Sequence, residues 1–197
     1  PERAQARAAL GLAQRPTVLL LGGGEGMGAL ESIAAALASM LARCNGQLAV
    51  ICGRNQALAS RLASQAWPAP VRVAGYVDDM PLWMAAADLL VSKAGPGTIA
   101  EALACGLPMI LSSFVPGQES GNVRFVEENG VGVYRSDPAQ IASVAAAWLE
   151  PGSAELPARR ARARELARPD AALDIARGLS RLLGAPDADG PGCGQDR

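Results

Sequence analysis

The chain has 197 residues, enough for one large domain or two small ones at roughly 100–200 residues per domain. Half of the residues are apolar and 19% are charged, which is a globular composition. The net charge of −1 excludes a nucleic-acid binder that relies on a basic surface, and no apolar run reaches the roughly 18 residues of a membrane-spanning helix.

In chain order, Pro1–Gln14 reads as a linker-like helix; Pro1–Gly11 is alternately charged and alanine-rich, unlike a signal peptide. Thr17–Leu21 (TVLLL) is a short continuous apolar run, the pattern of a strand buried on both faces. A glycine-dense loop follows. Ala29–Ala42 is then helical, with Leu30, Ile33, Leu37 and Leu41 on one side. Strands are expected at Leu48–Cys52, Val71–Ala74, Leu89–Ser92, Met109–Leu111 and Val131–Tyr134. Helices are expected at Ala57–Gln65, Met80–Ala87, Thr98–Cys105, Asn122–Asn129 and Pro138–Leu149. Beyond Pro151 the alternation stops: Ala154–Ala167 is an arginine-rich helix and Ala171–Leu183 another. Gly184–Arg197 is a Gly/Pro/Asp tail expected to be disordered.

Repeated strand–helix units with short loops imply an α/β fold, a doubly wound, mostly parallel, Rossmann-like sheet. In such sheets ligands bind beyond the carboxyl ends of the strands, where strand order reverses. Chemistry is therefore sought in the loops after the strands.

The residue types narrow that chemistry. Histidine is absent, so a histidine base, a His–Asp dyad or a histidine metal ligand cannot come from this chain alone. Cys44, Cys52, Cys105 and Cys193 have no CxxC spacing and read as small apolar residues, which argues against zinc. Lys93 is the only lysine among eighteen basic residues.

Three loops stand out. Gly22, Gly23, Gly24, Glu25, Gly26, Met27 and Gly28 link the first strand to its helix. There, glycines let backbone amides approach an anion at a helix start. Neither G-x-G-x-x-G nor G-x-x-x-x-G-K-[ST] occurs, which disfavours a dehydrogenase or a P-loop NTPase. The second loop runs Ser92-Lys93-Ala94-Gly95-Pro96-Gly97-Thr98 into the next helix, where Thr98 and the amides after it suit a phosphate. Glu101 has two readings: the partner of Thr98 in a capping box, or an acceptor for two adjacent hydroxyls of a ribose. Lys93 is either a charge for a diphosphate or a solvated strand end. The third loop, Val115-Pro116-Gly117-Gln118-Glu119-Ser120-Gly121-Asn122, offers donors and acceptors to a polyhydroxylated ligand, or simply caps the next helix through Asn122 or Ser120.

Together and in this order, GGGEGMG, GYVDDM, SKAGPGTIAEAL and PGQESGN resemble the C-terminal half of the monogalactosyldiacylglycerol synthases, from about Pro16 to Leu149. These belong to a group of two-domain, GT-B type glycosyltransferases that includes the transferase building lipid II. The resemblance implies a donor-binding domain over residues 16–183. It places Gly75, Tyr76 and Val77 against uracil, Lys93, Gly95, Pro96, Gly97 and Thr98 at the diphosphate, and Glu101 on the ribose. Gln118 and Glu119 would contact the galactose, with Asn122 supporting their loop, and Gly22–Gly28 would face the cleft. The catalytic base is expected in an N-terminal domain this chain lacks, so the chain reads as a fragment.

The implied reaction is inverting transfer of galactose from UDP-galactose to the sn-3 hydroxyl of diacylglycerol, with no metal and no cofactor. The partners are a UDP-sugar and, through the missing domain, diacylglycerol; nucleic acid is not one. The implied location is the chloroplast envelope, peripherally bound. Asp78 and Asp79 read as a helix start rather than metal ligands. Arg160, Arg164 and Arg168 make a stripe at i, i+4, i+8, either a solvated face or a contact for anionic headgroups. Alternatives are a UDP-N-acetylglucosamine or UDP-glucose transferase, a non-hydrolysing epimerase, or a non-catalytic donor-domain subunit that pairs with a separate acceptor domain.

Overall fold

A residue in a parallel strand covered on both sides must be apolar whichever way its side chain points, and Val18, Leu19 and Leu20 are all completely buried. The computed structural model describes residues 2–22 and 29–183. In order, the elements are α1 (Arg3–Ala9), β1 (Thr17–Leu21), α2 (Ala29–Arg43), β2 (Gln47–Ile51) and α3 (Gln56–Ser64). Next come β3 (Val71–Ala74), α4 (Met80–Ala86), β4 (Leu89–Lys93), α5 (Pro96–Ala104) and β5 (Met109–Ser113). The chain continues through α6 (Ser120–Glu128), β6 (Gly132–Tyr134), α7 (Pro138–Leu149), α8 (Glu155–Leu166) and α9 (Ala171–Leu182).

The six strands form one parallel sheet in the order β3-β2-β1-β4-β5-β6. Strand order therefore reverses between β1 and β4, and the crevice beyond their carboxyl ends is where this architecture receives ligands. Alternate residues feed opposite cores. Val18, Leu20, Leu48, Val50, Leu89 and Val91 pack with Leu30, Leu37 and Leu41 of α2, Leu62 of α3 and Trp148 of α7. Leu19, Ala49, Ile51, Leu90, Met109 and Leu111 pack on the other face with Trp83 of α4, Leu103 of α5, Val126 of α6 and Ala163 of α8. Each fully buried leucine contributes roughly 1.5–3 kcal/mol relative to exposure.

The helix starts follow local chemistry. The side chains of Asn55 and Asp137 accept from the Leu58 and Gln140 amides, both at 2.9 Å. Two expectations need correction. Gly95, not Thr98, is the N-cap of α5, because Pro96 occupies the first helical position, where its fixed φ and missing N–H cost nothing. Thr98 thus lies inside the first turn, and the capping-box reading of Thr98 and Glu101 falls. Likewise α6 begins at Ser120, with Glu119 at its N-cap.

The chain divides into two units, residues 1–167 and 168–197. The second contains α9, which carries Ile175, Leu179 and Leu182 at i, i+4 and i+7. The expectations for residues 23–28 and for the 184–197 tail lie outside the described residues. No helix among the described residues is long and apolar enough to cross a membrane.

Candidate functional site: a cleft at the strand-order reversal

A cleft of about 360 Å³ opens at the carboxyl ends of β1, β2 and β4. Gly22, Gly53, Arg54, Tyr76, Val77, Lys93 and Thr98 are among the residues that line it, over an apolar floor that includes Leu21, Ile51 and Met80. Among the residues singled out in the sequence, Gly22, Tyr76, Val77, Lys93 and Thr98 meet here.

Tyr76 is 61% exposed, with the Arg54 guanidinium 5.8 Å from its ring centre. A planar aromatic face with a cation over it is a surface on which a flat heterocycle can stack. Arg54 was not singled out in the sequence, although the rule that ligands sit beyond strand ends includes it. Gly53 and Met80 were missed in the same way.

The mouth of α5 presents open donors that can take an anion. Its first-turn amides have no intrahelical acceptor, and Pro96 removes one donor, leaving the Gly97 and Thr98 N–H groups at the helix start. A side chain at Gly97 would meet nothing within 4 Å among the described residues, and at Gly95 only Thr98 Oγ1 and Lys93 Cε, at 3.8 and 3.9 Å. Gly95 has an ordinary φ of −70°. Packing among the described residues does not require glycine at either position, which leaves the backbone there open to an anion.

Lys93 is aimed by an irregularity in the sheet. Ser92 pairs with Leu111 but Lys93 pairs with Ser113, so Ser112 is the extra residue of a bulge. Bulges re-aim side chains beside functional sites. Lys93 Nζ donates to Glu119 Oε1 at 2.6 Å, and Glu119 Oε2 accepts from the Val115 N–H at 2.8 Å. The hydrogen bond from Lys93 is the main reason the Glu119 carboxyl lies below the usual carboxylate range, against the opposing effect of burial. Asn122 Nδ2 donates to the Ala94 carbonyl at 2.9 Å, tying the start of α6 to the loop after β4. Gln118 and Glu101 are exposed. Gly75 lies beside the Gln56 side chain, whose Nε2 would be 3.2 Å from an added Cβ. Asp79 accepts from Trp83 Nε1 at 3.1 Å.

Residues 17–171 match the glycosyltransferase family 28 C-terminal domain. The chain belongs to that family. It is 48% identical over 172 residues to monogalactosyldiacylglycerol synthase 3, chloroplastic, of Arabidopsis thaliana, covering 85% of this chain and 37% of that protein. It is 47% identical over 173 residues to monogalactosyldiacylglycerol synthase, chloroplastic, of Spinacia oleracea, covering 85% of this chain and 33% of that one. The chain thus spans little more than a third of these relatives. The fold is shared with Acinetobacter baumannii MurG, at a TM-score of 0.68 and 19% identity over 92% of this chain and 53% of that one. WaaG, a glycosyltransferase involved in lipopolysaccharide biosynthesis, aligns at a TM-score of 0.65 and 22% identity, covering 92% and 50%. The fold is therefore that of the C-terminal half of a GT-B glycosyltransferase.

Proposed function

We propose that this chain is the donor-binding half of a hexosyltransferase that moves galactose from UDP-galactose to diacylglycerol. The observation that carries the reading is the open mouth of α5, with its unfilled Gly95 and Gly97, at the strand-order reversal of a chain nearly half identical to monogalactosyldiacylglycerol synthases. In this reading residues 16–183 form the donor domain. Uracil lies by Gly75, Tyr76 and Val77, and the diphosphate lies on the amides of Gly97 and Thr98 beside Gly95, Pro96 and Lys93. The exposed Glu101 accepts from the two ribose hydroxyls. Gln118 and Glu119 contact the galactose, and Asn122 supports their loop through its bond to the Ala94 carbonyl. Gly22, the described end of the Gly22–Gly28 loop, lines the cleft.

The acceptor hydroxyl attacks the anomeric carbon, its proton passes to a base on the other half, and the bond from that carbon to the UDP oxygen breaks with inversion. Main-chain dipoles and Lys93 offset the charge that develops on the departing diphosphate. The names of the relatives place those proteins in the chloroplast. We infer the same compartment here, with diacylglycerol reached at the envelope membrane surface through the other half.

Calorimetric titration with UDP, UDP-galactose, UDP-glucose and UDP-N-acetylglucosamine tests the reading. UDP binds, UDP-galactose binds best of the sugars, and Glu101→Ala costs the UDP affinity about 1–3 kcal/mol without lowering the melting temperature. Failure of all four to bind would falsify the assignment; preference for another sugar would redirect it to that donor.

A further inference from the structure

A second cavity, of about 570 Å³, lies at the opposite, amino edge of the sheet, between α1, α4, α5 and α8. Arg3, Arg160 and Arg164 line it together with Glu2. Behind them Asp88, the residue just before β4, receives Arg3 at 3.4 Å, Arg7 at 2.5 Å and Arg160 at 3.7 Å. Among the described residues, three guanidiniums thus converge on one carboxylate, with Arg164 and the exposed Glu2 beside them on the cavity wall. Cys105, also on the wall, adds no negative charge, because burial and then the nearby Glu101 push its thiol up.

Among the described residues this surplus is not relaxed. Arg160 Nε is a buried donor with no hydrogen-bond partner. Burial and the charges of Arg3, Arg164 and Arg7 disfavour the Arg160 cation, against the help of Asp88. Room has also been made for Arg164: an added Cβ at Gly106, which has a φ of +60°, would come within 2.9 Å of Arg164 Cγ and Nε. Of the stripe Arg160, Arg164 and Arg168, Arg160 turns inward to Asp88, while Arg164 and Arg168 are exposed.

We propose that this cavity is a binding site for a phosphate group carried on a small organic body. Guanidiniums bind phosphate through paired N–H donors in a planar fork, and Arg3, Arg160 and Arg164 bring three of them to the cavity wall. The cavity exceeds the size of the ion, and Pro81, Ala85 and Ala104 offer apolar wall to the attached body. The site lies across the sheet from the donor cleft, so its ligand does not compete with a nucleotide. The phosphate could be carried by a soluble ester or by a lipid headgroup.

The test follows the arginine Nε–H signals of the full chain by NMR while inorganic phosphate and glycerol 3-phosphate are added. Co-sedimentation is run in parallel with phosphatidylcholine vesicles with and without phosphatidylserine. Saturable movement of the Arg160 and Arg164 signals with glycerol 3-phosphate is expected, weakened at least fivefold in Arg164→Gln. Arg164 is exposed, so an unchanged melting temperature of the variant shows that its fold is intact. Saturation by the soluble ester with no arginine-dependent sedimentation assigns a free ester; sedimentation that Arg164→Gln abolishes assigns a headgroup. Shifts that sodium chloride reproduces, or the absence of saturation together with sedimentation unaffected by Arg164→Gln, overturn the proposal.

Discussion

The two edges of the sheet are finished in opposite ways. At the amino edge, apart from the arginine-lined cavity between α1, α4, α5 and α8, polar groups bond one another across long sequence separations. Gln47 Nε2 donates to the Ala13 carbonyl at 2.7 Å and to Thr17 Oγ1 at 2.9 Å, and Asp88 accepts from the Thr17 N–H at 2.9 Å. Buried Arg7 donates to the Ala86 carbonyl and to Asp88. At the carboxyl edge, among the described residues, the equivalent groups stay open: the amides at the start of α5, the exposed Tyr76, and Gly97, where a side chain would meet nothing within 4 Å. A polar group left unpaired costs stability, so an edge that leaves several open is one whose partners come from outside.

The sharpest way to break this contrast is Asp88→Ala. It strands the Arg7 charge and the Thr17 N–H together, and removing one partner of a buried pair costs about 3–5 kcal/mol. A large fall in the urea midpoint is expected, with UDP affinity unchanged where the protein remains folded. If Asp88→Ala instead weakened UDP binding at constant stability, the division of labour between the edges would be wrong.

Gly97→Ala makes the reciprocal test. Alanine is up to about 1 kcal/mol better than glycine in a helix, so the melting temperature holds or rises. The added methyl projects into the space assigned to the diphosphate, and UDP affinity falls about tenfold, equivalent to about 1.4 kcal/mol. An unaltered titration curve would remove the mouth of α5 from the donor site.

How much of this could be read in advance depended on how local the cause was. The strands announced themselves because burial on both faces demands unbroken apolar runs, and β1, β3 and α7 begin and end at the expected residues. The start of α5 was misread because Thr98 and Glu101 have the spacing of a capping box, whereas proline at the first helical position decided the matter. The pairings were invisible for a different reason. Asp88 meets Arg160 across 72 residues, and Lys93 meets Glu119 across 26. Periodicity reports which face a residue occupies and is silent about the charge that another segment brings to it. Lys93 and Glu119 were therefore each read as facing a ligand, before their bond to each other was known.

That bond supplies the smallest and most specific effect. Lys93 remains partly exposed, so solvent screens the pair, and Lys93→Met is expected to cost only about 1 kcal/mol at neutral pH. The pH dependence carries more information than the size. Because Glu119 titrates below its ordinary value in the folded chain, its contribution is present above the usual carboxylate range. It is lost as pH falls through the depressed value. Removing Lys93 removes the main cause of the depression, so the acid limb of stability against pH flattens in Lys93→Met relative to the parent. Denaturant midpoints measured from neutral to acid pH read this directly. Parallel curves would mean that the Val115 amide alone sets the Glu119 charge, and that Lys93 is free to leave it for a diphosphate at little cost.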